Sequence, residues 1–304
     1  MDRVRKRIYL DEVTDSRWQR SPVTIAVLDS GIGRHPDLEG KCLAFKDFVN
    51  GRMASYDDCG HGTHVCGILC GSGELSEGKY MGIIPGARLV VGKVLDEKGE
   101  GKADVMLEGL EWIWKNRKRF DIRLLNISVG IGSLKNKQKH LHLKEMLEKL
   151  WDAGIIVVCA AGNKGPGENS ISAIGGYDKV ITVGCYDDVC DVKEDENCAL
   201  YSGRGALNST FRKPDLVAPG TGLVSCCHKV KWTKNGYEDS YMSQSGTSMS
   251  APLVTGCAAL LLQREPYLHN EQIKERLHYS SEDLGLPWNM QGWGMLHAKR
   301  LLDY

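Results

Sequence analysis

The stretch "VTIAVLDSGI", residues 23–32, decides the fold. Its apolar residues run on without the polar alternation of a half-exposed strand, so both faces of this strand are covered. The Ser-Gly turn after Asp29 ends it. "RLVVGKVL" (88–95), "IRLLNISVG" (122–130), "GIIVVCAAG" (154–162) and "VITVGCY" (180–186) read the same way. Helical patterns lie between them. "ADVMLEGLEWIWKNRKRF" (103–120) puts Met106, Leu107, Leu110, Ile113 and Trp114 on one face. "KNKQKHLHLKEMLEKLWDAG" (135–154) closes on Gly154, a natural helix stop. Strand–helix alternation predicts an α/β chain: three layers, a mostly parallel central sheet, and helices on both faces. Sites in such sheets form beyond the carboxyl ends of the strands, where Asp29 stands. An acid there is structural or catalytic, and the strand alone does not separate the two.

The composition is that of an ordinary globular chain, with 42% hydrophobic and 26% charged residues in 304. Lys plus Arg and Asp plus Glu balance at 39 each, which offers no electrostatic reason for a nucleic-acid or anionic-membrane partner. No internal repeat or low-complexity linker divides the chain, so one domain over 1–304 is expected, residues 1–21 forming an N-terminal segment. The basic start has no apolar run behind it, as a secretory signal would need, and no stretch is long enough to span a bilayer. The 11 cysteines have irregular spacing and no CxxC pair. Most are read as reduced thiols, which points to a cytoplasmic setting. The acidic run "DDVCDVKEDENC" (187–198) is read as a solvated loop, with a cation site as the minority reading.

Two further segments carry chemistry. In "YDDCGHGTHVCGILCG" (56–71), His61 and His64 lie three apart at the start of a helix, flanked by cysteines. Metal pair, redox site and catalytic base all remain open from this stretch alone, although the glutamate of an HExxH zinc helix is missing. In "SGTSMSAPLVTGCAALLLQ" (245–263), Ser248 stands where an apolar helix begins. Pro252 is read only as fitting an early turn, where a missing N–H costs little. A serine at the helix start is an N-cap, or a nucleophile placed where the helix dipole favours developing negative charge.

Taken together, "DSGI", "HGTHV" and "GTSM" resemble the three signature motifs of the subtilisin-like serine proteases, in that family's Asp–His–Ser order. "NISVG", "VVCAAGN", "KPDLVAPG" and "GWGMLHA" sit in family order too, and "GSGELSEGKYMGIIPGA" with "VGKVLDEKGEG" is most like the cytoplasmic AprX-like branch. The resemblance implies a serine endopeptidase with polypeptide substrates, working through an acyl-enzyme on Ser248. His61 would be the general base, Asp29 its orienting acid and Asn163 the oxyanion donor. His64 would be the packed second histidine of the motif. Ser128, Val129 and Gly130, with Gly99, Glu100 and Gly101, would flank an extended substrate, and Lys164 would sit at the base of the first specificity pocket. Lys164 would favour an acidic or polar substrate residue there, while Glu100, Asp57 and Asp58 would attract basic neighbours. Cys66, one helical turn past His61, would lie beneath the imidazole.

A processing protease, a peptide ligase or cyclase, and an inactive binding module are the competing readings. Secreted family members often bind calcium through an acid equivalent to Asp37 and a loop near residues 70–80. This loop lacks their asparagine-containing turn, so no cofactor and no metal site is expected. No pro-domain is evident ahead of Asp29, although trimming of a longer, secreted precursor stays open. Oligomeric state is not legible in the sequence.

Overall fold

The computed structural model describes residues 1–13, 22–129, 137–187, 197–234 and 236–303. Helix α1 (Asp2–Arg7) precedes β1 (Thr24–Asp29), β2 (Cys42–Asp47), α2 (His61–Cys70), β3 (Arg88–Lys93), α3 (Ala103–Asn116) and β4 (Ile122–Ile127). Then come α4 (Lys137–Asp152), β5 (Ile156–Ala160), β6 (Ile181–Tyr186), α5 (Cys198–Tyr201), β7 (Leu216–Pro219), β8 (Leu223–Cys226), β9 (Lys231–Thr233), β10 (Gly236–Glu238) and β11 (Tyr241–Gln244). Helices α6 (Thr247–Arg264), α7 (Asn270–Ser280), α8 (Trp288–Gln291) and α9 (Ala298–Asp303) complete the order.

Seven strands form one parallel sheet in the order β2-β3-β1-β4-β5-β6-β7. Strand β1 is the topological switch point, so its carboxyl end faces the crevice where such sheets place their sites. Its side chains alternate between two cores. Ile25 and Val27 pack with Ile68 and Leu69 of α2 and Leu253 and Leu261 of α6. Ala26 and Leu28 pack with Leu110 of α3 and Leu147 of α4. The three-layer expectation holds, and this double burial is why the strand shows no polar alternation.

All five predicted strands are present, some shorter than expected. The 88–95 segment leaves the sheet after Lys93, where the N–H groups of Val94 and Leu95 both donate to the carbonyl oxygen of Asp29 (2.8 and 3.3 Å). Strands β2 and β7 escaped prediction for different reasons. Edge strand β2 is only partly covered, and β7 is four residues long between prolines. Pro252 lies early in α6 as expected, but its missing N–H is not without cost. Helix α6 begins at Thr247, so the proline lies beyond the first turn, and its missing N–H leaves the Ser248 carbonyl without its usual helical partner. Because α6 is buried on nearly every side, tertiary packing rather than a capped first turn holds it.

Eight cysteines among the described residues are free, and Cys185 and Cys198 are joined. Gly130 and most of the acidic 187–198 run lie outside the described residues. Among the described residues, no helix is long and apolar enough to cross a membrane.

Candidate active site

Asp29 is fully buried at the end of β1, and its Oδ1 lies 2.7 Å from Nδ1 of His61, the first residue of α2. The same oxygen accepts the Ser30 N–H at 2.7 Å, while Oδ2 is buried with no partner among the described residues. Burial alone would lower the His61 pKa. The charge and hydrogen bond of Asp29, with Asp57 behind it, outweigh burial and hold the imidazole above the ordinary histidine value. With Nδ1 committed to Asp29, Nε2 is the nitrogen left to exchange protons.

A second acid builds the start of α2. Asp57 accepts from the N–H groups of Cys59, Gly60 and Thr63 and from the hydroxyls of Ser30 and Thr63 (2.6–3.1 Å). Burial pushes its carboxyl up, yet the hydrogen bonds from Thr63, Gly60 and Ser30 pull it below the usual carboxylate value. It satisfies two of the N–H groups that open α2, those of Gly60 and Thr63, while Ser30 Oγ accepts that of Gly62 at 2.8 Å. Asp58 is paired too, with Nζ of the fully buried Lys93 at 2.6 Å. That ammonium also donates to the carbonyls of Ser30 and Leu95 at 2.8 Å each, tying the ends of β1 and β3 together. The expectation that Asp57 and Asp58 attract basic substrate residues is therefore corrected. One is consumed by the helix and the other is neutralised by a lysine.

His64 meets the opposite environment. It is fully buried, and its Nε2 lies 2.9 Å from the Leu223 carbonyl and 3.1 Å from that of Met242. Both acceptors require a proton on Nε2. Burial and the nearby His61 lower its pKa to about 4, despite these carbonyls. It is the packed histidine that the motif implied. Cys66 is also fully buried, and burial pushes its thiol well above the ordinary value, so it is an unreactive packing group.

Across the crevice, Ser248 is the second residue of α6, half-buried, after the N-cap Gly246. Gly246 has φ +149°, and a side chain there would press on Asn163 Nδ2. Asn163 lies past the carboxyl end of β5. Its Oδ1 accepts from the N–H and the hydroxyl of Thr247 (3.1 and 2.9 Å), which fixes the amide so that Nδ2 faces the start of α6. Among the described residues, Nδ2 makes no hydrogen bond, and neither does the Ser248 N–H at the first turn. Two donors are thus presented side by side. No hydrogen bond joins the Ser248 hydroxyl to His61 in this structure, so the Asp29–His61 pair is closed and the His61–Ser248 pair is not.

The remaining predicted residues fall around this crevice. Ser128 and Val129 follow β4 and are buried, with Ser128 Oγ accepting from Asn126 Nδ2 at 2.8 Å. Gly99, Glu100 and Gly101 follow β3, Gly99 at φ +77°. Glu100 and Lys164 are exposed and make no ion pair among the described residues.

Sequence reasoning missed Lys93, the capping role of Asp57, and His228, whose ring rests on Gly60. The first two left signals: a lysine inside an apolar strand must be neutralised, and an aspartate just before a helix start is a capping residue.

Among the described residues, one group of side chains could hold a metal ion. His35, Asp37 and Cys226 are buried with their donor atoms within 4.8 Å of one another. His35 Nδ1 accepts the Asp37 N–H at 3.1 Å, and its Nε2 bonds the Ser240 carbonyl at 2.7 Å. Asp37 accepts from Ser72 Oγ, the Leu75 N–H and the Tyr241 hydroxyl (2.7–3.3 Å). Protein donors already occupy this carboxylate, and an ion would have to displace them.

Comparison with known proteins agrees with this geometry. The profile of the subtilase family matches residues 20–294. Serine protease AprX of Bacillus subtilis is 40% identical over 292 residues, an alignment covering 91% of this chain and 65% of AprX. That similarity fits the AprX-like branch. Subtilisin DY of Bacillus licheniformis is 31% identical, with 91% of this chain and 90% of the relative aligned. A crystal structure of a cold-adapted subtilisin-like serine proteinase superposes with a TM-score of 0.69 at 26% identity, covering 91% of this chain and 88% of that one. The chain therefore belongs to the subtilase family of serine endopeptidases.

Proposed function

We propose that this chain cleaves polypeptides through an acyl-enzyme on Ser248, with His61 as base and Asp29 as its partner. The observation that carries the reading is the 2.7 Å contact between a fully buried, half-satisfied Asp29 and His61 Nδ1. His61 Nε2 takes the proton as Ser248 Oγ attacks the substrate carbonyl, and later gives it to the leaving amine. The absent ground-state bond to Ser248 is consistent with this, because such bonds commonly tighten only once substrate is bound. Water then attacks the ester by the reverse proton path. Asn163 Nδ2 and the Ser248 N–H stabilise the tetrahedral oxyanion. Gly99–Gly101 and Ser128–Val129 pair with the extended acyl side of the substrate, supplying affinity that does not depend on its sequence. Lys164 biases the first pocket toward acidic or polar residues, and Glu100 is the acid left to favour a basic neighbour.

The proposal includes one peptidase domain, a cytoplasmic setting, supported by the many free thiols, and no required metal, supported by the protein donors around Asp37. A melting temperature that climbs steeply with calcium would remove the last part. The central test is labelling by a fluorophosphonate. Wild type should add one probe at Ser248 and lose peptidase activity in proportion, while Ser248→Ala should take up none. Labelling elsewhere, or activity surviving in Ser248→Ala, sinks the reading.

A further inference from the structure

A cleft of about 540 Å³ opens between residues 32–42 and the β9–β10 hairpin. That is the size of pockets that bury a small ligand or a few side-chain groups. The hairpin is a separate two-stranded sheet, and a hairpin of two short strands gains little stability of its own. Yet it holds two large aromatics toward solvent. Trp232 and Tyr237 are cross-strand partners, ring centroids 4.8 Å apart at 87°, and are 75% and 41% exposed. Both line the cleft, with Ile32, Pro36, Leu38 and Val230 opposite or beneath them. Arg34 and Glu39 also line it, so its charges are of both signs and give no preference for a charged occupant.

The wall of the cleft is tied to the start of α2, the helix that carries His61. Gly33, on its wall, donates its N–H to Thr63 Oγ1 at 2.8 Å, in the first turn of α2. A side chain at Gly33 would come within 3.2 Å of His228 Cβ, and the His228 ring covers Gly60, immediately before His61. The His228 ring thus stands between the wall of the cleft and the residue before His61. His61 hands its proton to the departing amine, so the His61 side is the side of the leaving group.

We propose that this cleft is a subsite for an apolar side chain of the polypeptide substrate, on the leaving-group side of the cleaved bond. This rests on the peptidase reading above. The aromatic pair supplies flat apolar area with few rotamers to freeze, which suits it to binding rather than to holding the fold.

The experiment uses the full chain and internally quenched peptides sharing one acyl side, selected by digesting a peptide library. The peptides carry either Leu or Ser at the second to fourth positions after the cleaved bond. A p-nitroanilide of the same acyl side has no residues there. Wild type should favour the Leu peptides over the Ser peptides in kcat/KM by about tenfold or more. In the Trp232→Ala/Tyr237→Ala variant this ratio should collapse to within about twofold, and Trp232→Phe should restore most of it. Anilide hydrolysis reports that each variant is folded. An unchanged ratio, or no Leu preference in wild type, overturns the proposal while leaving the peptidase reading intact. No hydrolysis of any substrate by wild type overturns both.

Discussion

Helix α2 carries two histidines one turn apart, and the two ends of that turn meet opposite physics. His61 faces the crevice beside a carboxylate that has an oxygen to spare, and its pKa is raised. His64 faces two backbone carbonyls in a dry interior, and its pKa falls to about 4. The same residue type, three positions on, is the proposed proton carrier in one place and a neutral donor in the other. The nearby acids repeat the contrast: Asp57 is saturated by five donors, Asp29 is left half-bound. A buried acid with every lone pair matched holds structure, and one held short of that can respond when charge appears on its neighbour.

The largest test of the contrast is deletion of the reacting pair. His61→Ala and Ser248→Ala should each lower kcat by about 10⁶-fold, the order seen when the equivalent groups are removed from subtilisin. The double variant should be little worse than either single one, because the two groups act as a unit. A double variant many orders worse than both would show that they act separately. Measured burst and steady-state rates on one peptide substrate decide it.

Asp29→Asn comes next, at about 10⁴-fold in kcat, because an amide there both favours the wrong tautomer and no longer stabilises the imidazolium. In the wild type kcat/KM should rise with pH through an inflection above the ordinary histidine value of 6.5, since the base must be neutral to accept a proton. In Asp29→Asn the residual activity should inflect at lower pH. An unmoved inflection would mean that Asp29 does not set the His61 charge.

Asn163→Ala tests the facing wall of the crevice. It should cost about 10²- to 10³-fold in kcat with little change in KM, the mark of a donor used only by the transition state. A rise in KM alone would make Asn163 a substrate clamp.

Much of this arrangement was legible because buried parallel strands advertise themselves. The run 24–29 is apolar throughout, so both its place in the sheet and the position of Asp29 at its end could be read. What could not be read was set by partners distant in sequence. Whether an aspartate such as Asp57 or Asp58 is free depends on where α2 starts and on a lysine 35 residues away. The Trp232 hairpin has no apolar period to announce it. The open His61–Ser248 pair is a matter of ångströms that no motif encodes.

The smallest expected effect concerns His64, and it has the opposite sign to that of His61. Above pH 6.5 His64 is neutral folded or unfolded, so it imposes no pH dependence. As pH falls from 6.5 toward 4, the unfolded chain takes up a proton that the folded chain refuses, and stability drops by up to about 3 kcal/mol. His61 runs the other way. Its raised pKa favours the fold at low pH and is lost as pH climbs through the folded value. Urea unfolding of Ser248→Ala between pH 4 and 8, free of self-digestion, gives the slope of these two together with that of His35, His228 and His297, whose pKa values burial also lowers. Adding His64→Gln, which keeps a donor for Leu223 and Met242 but cannot titrate, isolates the difference. The acid slope should flatten while the stability at pH 8 changes little. An acid slope unchanged in His64→Gln would place the acid sensitivity in the other histidines, and the two ends of the turn would no longer differ in the way their surroundings require.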